Sequence, residues 1–141
     1  MNENKRIRLH FDRFTYMVSY RAIKELITNE LHRLAAETNY SIDGIPICFK
    51  EKSNGNAAAY FKHQGSDPVS FTFCLDTFDD ISANEIIDIC RHEFAHYVVC
   101  AENADNLPKN AHGAKWVATC KRLGARPDTH VHKELTMHFA R

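Results

Sequence analysis

The chain has 141 residues, 18 Lys and Arg against 18 Asp and Glu, and a formal net charge of zero, with 44% hydrophobic and 26% charged residues. That balance describes one soluble domain and excludes a protein held on nucleic acid by overall charge alone. No run approaches the ~18 apolar residues of a membrane span, and MNENKRIRLH lacks the apolar segment of a secretory signal, so a cytoplasmic, membrane-free domain is expected.

Taken in chain order, the first predicted element is a long amphipathic helix over about 14–38. Tyr16, Tyr20, Ile23, Ile27, Leu31 and Leu34 recur there at intervals of three and four. Gly44 and Pro46 break the pattern. Alternating apolar residues then predict strands at 45–50, 57–62 and 69–75, separated by the turn-like SNGN and HQGSDP. Their short connections suggest a small three-stranded antiparallel sheet. Ser82, followed three residues later by Glu85, forms a capping box that opens a second helix running to about Ala101. A polar loop over 102–110 leads to a last helix, from His112 or Gly113 to Leu123, with Gly124 as its stop. The fold class is α+β, in a single domain over 1–141.

The five cysteines, at 48, 74, 90, 100 and 120, form no C-x-x-C pair and are expected to be reduced and mostly buried. The chemistry-bearing stretch is CRHEFAHYVVC at 90–100. On a helix, His92 and His96 lie one turn apart on one face and can address a common point, with Glu93 beside them. Two imidazoles suit a metal, and a neighbouring carboxylate suits deprotonation of a water. With nine His and nine Glu in the chain, H-E-x-x-H would arise by chance in roughly 4% of such compositions, so a further ligand has to be sought.

Val99 and Glu102 stand where a metzincin needs Gly and His, and no acid lies between Ala111 and Arg126 to serve as a glutamate ligand. Cys100 is one turn too far along the axis and reads as a core thiol. His112, sixteen residues after His96 and next to Gly113, remains as the third candidate if the intervening loop reverses the chain. Tyr97 and Tyr60 are candidate oxyanion donors that read better as packed aromatics. His130, His132 and His138 follow the last helix; THVH suggests a terminal strand rather than a second metal site.

RHEFAHY followed by AHGAKWVATCKRLGARP resembles the SprT-like metallopeptidases, whose pattern is H-E-x-x-H, then H-G-x-x-aromatic, then L-G-x-x-P. His92, Glu93 and His96 match the first part, His112, Gly113 and Trp116 the second, and Leu123, Gly124 and Pro127 the third. The resemblance spans about 14–132 and implies a zincin-like fold. It also implies one zinc held by His92, His96 and His112, Glu93 as general base, and a polypeptide substrate added to an edge strand, for which Val69, Phe71 and Phe73 are the candidates. The four-cysteine ribbon of many relatives has no counterpart here. DNA association then rests on the basic stretch 109–126, through Lys115, Lys121, Arg122 and Arg126. The resemblance thus implies a zinc metalloendopeptidase; the alternative from another class is a metal-containing protein- or nucleic-acid-binding module with little hydrolysis.

Overall fold

The computed structural model describes residues 1–53, 55 and 57–127, an α+β arrangement of three helices and two small sheets. The predicted THVH strand, with His130, His132 and His138, lies outside the described residues.

The chain opens with a hairpin that periodicity had assigned in part to the first helix. β1 (Arg6–Phe11) and β2 (Phe14–Ser19) pair antiparallel, with Leu9 opposite Tyr16 and Phe11 opposite Phe14. Asp12, at φ 58, makes the tight reversal. Ile7 and Leu9 are buried while Arg6 and Arg8 face outward, the period of two expected of a half-buried strand. The helix α1 begins at Tyr20 and ends at Thr38, because the Ser19 side chain accepts a hydrogen bond from Ala22 N (3.1 Å) and Asn39 ends it in the left-handed region. Its predicted stripe from Tyr20 through Leu34 is buried, whereas Tyr16 stands 49% exposed on the hairpin.

The second sheet corrects the predicted topology. β3 (Ile47–Lys50) runs parallel to β5 (Asp67–Cys74), and only β4 (Ala59–Gln64) is antiparallel to β5, giving the order β3-β5-β4. The return through β4 passes to the far side of β5. Val69, Phe71 and Phe73 therefore lie on the central strand and cannot receive an added strand along its paired length. Phe71 and Phe73 are fully buried, and Ser70, Thr72 and Cys74 between them are buried as well, as a strand covered on both faces requires. Among the described residues the outer strand that packs against the histidine helix is β4.

After a 3₁₀ turn at Leu75–Phe78, β6 (Ile81–Ser82) joins β1 in parallel and hands the chain to α2 (Ala83–Glu102). The Ser82 hydroxyl accepts from Glu85 N at 3.1 Å, as the capping box predicts. α2 is the central element, packed against α1 and the last helix, α3 (Ala114–Arg122). Gly124, at φ 77, closes α3 in a conformation that side-chain-bearing residues seldom adopt. No helix among the described residues is long and apolar enough to cross a membrane.

Candidate functional site

The loop after α2 reverses the chain and sets the start of α3 beside the third turn of α2. Asn110 shapes the reversal: its side chain accepts from His112 N (3.0 Å) and its carbonyl from Gly113 N (3.2 Å). A methyl group on Gly113 would lie 3.3 Å from that same carbonyl, so close approach rather than an unusual φ favours glycine here. Val117 N donates to Gly113 O and starts α3 immediately after His112.

This geometry brings His96 and His112 together, with ring centroids 4.9 Å apart and planes at 66°. Both pack on the indole of Trp116, His96 nearly parallel to it at 5.5 Å and His112 edge-on at 4.7 Å. His92 reaches the same indole at 5.5 Å. Trp116 is 2% exposed, and its Nε1 donates to the His92 carbonyl at 3.2 Å, which pins α3 to α2 at the motif itself. In the sequence this tryptophan stands out only as the aromatic of the H-G-x-x-aromatic match. Its place among three imidazoles was not foreseen, although the single indole of the chain, twenty residues after His96 on an adjoining helix, was the available signal.

His92 is buried. Its Nε2 lies 2.7 Å from the Arg126 carbonyl and 3.5 Å from Asp88 Oδ2, one turn earlier on α2. A carbonyl only accepts, so this contact assigns the proton of a neutral His92 ring to Nε2 and the lone pair to Nδ1. Asp88 also accepts from Arg126 N at 3.2 Å, so one short segment after α3 is clasped to α2 from both ends. Glu93 is 3% exposed on the same turn of helix. Among the described residues, no three His, Cys, Asp or Glu side chains are arranged as a group able to hold a metal ion as they stand. Two imidazoles meet, and the third is anchored on Arg126.

A cavity of about 300 Å³ opens beside His96 and His112. Its lining includes Phe61 and His63 of β4, Val99 and Cys100 of α2, and Leu107 and Ala111 of the loop. Phe61 and His63 share a strand face, which prediction missed by ending the strand at Lys62; extending the alternation Ala59, Phe61, His63 would have found it. Cys100 is 4% exposed, with Sγ 3.5 Å from Ser66 O, consistent with a packed thiol. Tyr97, a candidate oxyanion donor, instead donates to the Ser41 carbonyl and packs on Phe61, Phe71 and Phe94. Burial raises the pKa of its hydroxyl. Tyr60 lies under Lys50, whose Nζ is 5.7 Å from the ring centre.

The basic stretch is partly neutralised. Arg122 pairs with Glu102 at 3.2 Å, Arg126 with Asp88 at 3.5 Å, and Lys115 bonds Asn103. Comparison with protein-family models, with curated proteins and with solved structures returns no match.

Proposed function

We propose that the chain is a zinc-dependent metalloendopeptidase of the SprT-like, zincin-like kind, in which His92, His96 and His112 hold one zinc and Glu93 is the general base. The observation that carries this reading is the gathering of three imidazoles around Trp116, each within 5.5 Å of the indole, with Glu93 on the intervening turn of helix. The donor chemistry fits: three neutral imidazoles favour zinc over harder cations, and metal-binding histidines are commonly anchored through their second nitrogen, as His92 is by Arg126.

Bound zinc would supply Lewis-acid activation of a water and of a peptide carbonyl. Glu93 accepts the proton of the attacking water and returns it to the leaving amine. Trp116 restricts the imidazole rings, reducing the side-chain freedom lost on metal binding. A polypeptide in extended form adds to the edge of β4, whose residues Lys62, His63 and Gln64 are exposed, and main-chain hydrogen bonds hold it with little sequence preference. Any association with DNA falls to Lys121 and Lys115, since Arg122 and Arg126 already carry acidic partners.

The second reading, a metal-containing binding module with little hydrolysis, is favoured by one feature: two imidazoles converge rather than three. Metal analysis with X-ray absorption tests the proposal. One zinc per chain with three imidazole nitrogens at about 2.0–2.1 Å is expected, weakened in His112→Ala; a chain that takes up no zinc refutes both readings.

A further inference from the structure

The cavity beside His96 and His112 has a size and lining that select among ligands. At about 300 Å³ it lies at the lower limit of small-molecule pockets, which run from about 300 to 1,000 Å³, and suits one side chain better than a whole cofactor. Its surface is mainly apolar, from Phe61, Val99, Leu107, Pro108 and Ala111. Phe61 is held rigidly, stacked on His63 at 5.7 Å and packed against Phe71 at 5.1 Å. Cys100 adds no charge, because burial, and secondarily the Asp67 carboxylate, raises its thiol pKa.

The charges that would favour other occupants are missing from these walls. No carboxylate lines the cavity among the described residues, so a lysine or arginine side chain would enter without a counter-charge. His63 has Nδ1 2.8 Å from the Gly65 carbonyl, which occupies one of its two polar atoms. Along Phe61–Gln64 no strand among the described residues pairs with the outer side of β4, and residues two apart on an added strand fall on one face. A chain lying along β4 therefore sends alternate side chains toward the cavity, next to His96 and His112.

We propose that this cavity is a specificity pocket that accepts a bulky apolar side chain, leucine or phenylalanine in size, adjacent to the scissile bond of an extended polypeptide. The inference rests on the protease reading, and it narrows the substrate class to unfolded or flexible polypeptides that expose such a residue. Native domains keep these side chains inside. Leu107 and Ala111 line the pocket from the loop, and Phe61 and Val99 from β4 and α2.

The test uses zinc-loaded Glu93→Gln, so that binding is read apart from cleavage. A fluorescein-labelled Ser/Ala-rich peptide carries Phe, Leu, Ala, Lys or Asp at one position, and affinity is measured by anisotropy. Phe and Leu are expected to bind roughly 10- to 100-fold more tightly than Ala, with Lys and Asp no better than Ala. Ala111→Phe, at an exposed loop position, should bring the Phe and Leu peptides down to the affinity of the Ala peptide, and Leu107→Ala should favour Phe over Leu. A variant that merely misfolds loses all peptides together and cannot mimic this change of order. Equal affinity across the set, undetectable binding, or preference for Lys or Asp overturns the pocket. Cleavage-site mapping on denatured casein with the unmodified protein separates the two claims. Cleavage without side-chain preference defeats the pocket alone, whereas apolar-selective binding without cleavage defeats the protease reading alone.

Discussion

Replacing Glu30 by Gln perturbs the buried ionic link behind the motif. Glu30 is 7% exposed on α1 and accepts from Arg33 at 2.7 and 2.8 Å and from Arg91 Nε at 3.0 Å. Arg91 in turn donates to the Gly124 carbonyl at 3.1 Å, so one carboxylate ties α1 to α2 and α2 to the turn after α3. Arg33 is 46% exposed, and its share of the link is screened to about 0.5 kcal/mol. Arg91 is 26% exposed, and its charged hydrogen bond contributes about 1.5–3 kcal/mol. Glutamine keeps the shape and one acceptor, so the expected loss is about 2 kcal/mol, and about 3 kcal/mol for Glu30→Ala, where Arg33 keeps only Glu37 and Arg91 only the Gly124 carbonyl. For a domain of this size a 2 kcal/mol loss lowers Tm by roughly 6–10 °C.

Burial by itself raises the Glu30 pKa, but the hydrogen bonds and charges of Arg33 and Arg91 outweigh it and hold the carboxyl below the ordinary glutamate range. A group whose folded pKa is depressed stabilises fully above its unfolded pKa, about 4.3, and loses that contribution as pH falls through the folded value. Urea unfolding of both proteins at a series of pH values is the assay. The gap should be constant near neutrality and close only below about pH 4. A difference under about 0.5 kcal/mol at pH 7, or one that grows as pH falls, would refute the reasoning.

Two smaller perturbations follow from single residues. Gly124→Ala should cost about 1–2 kcal/mol for the left-handed conformation, and slightly more than Gly44→Ala. Gly44 shares the positive φ with open space around it, whereas a methyl on Gly124 meets Arg91 at 3.2 Å; equal losses in thermal unfolding would show that Arg91 yields freely. Iodoacetamide applied to the folded protein should label the exposed Cys48 first and leave Cys90 and Cys120 intact until unfolding. Burial, with smaller effects from Asp88 and Glu93, pushes the Cys120 thiol up to about 12, and peptide mass mapping reads the order of labelling directly.

What could be read in the sequence was whatever local chemistry encodes. Ser82 and Glu85 fix the start of α2 within one turn, and Gly124 stops α3 through its own backbone, so both ends of the histidine-bearing helix pair were legible. The pairing of His96 with His112 followed once Asn110 and Gly113 reversed the chain. The β1–β2 hairpin was obscured because Tyr16, four residues before Tyr20, continues the spacing of α1 by coincidence. The alternation Arg6, Ile7, Arg8, Leu9 carried the strand signal, and Ser19 the cap that ends it. The direction of β3 and the central position of β5 were not legible in the same way. Pairing partners are chosen by long-range burial, and the polar Ser70 and Thr72 made a doubly covered strand look half exposed. Nor could spacing foresee that His92 would anchor on the Arg126 carbonyl, a contact between residues 34 apart in sequence.

The central claim is that Glu93 acts on a water at a zinc held by His92, His96 and His112. Its most direct test is casein cleavage by the purified chain and by Glu93→Gln, with zinc content measured on the same samples. The account predicts about one zinc in each and cleavage lost only in the variant, since the glutamate moves the proton and does not hold the ion. Undiminished cleavage by Glu93→Gln would contradict it, as would loss of zinc from that variant.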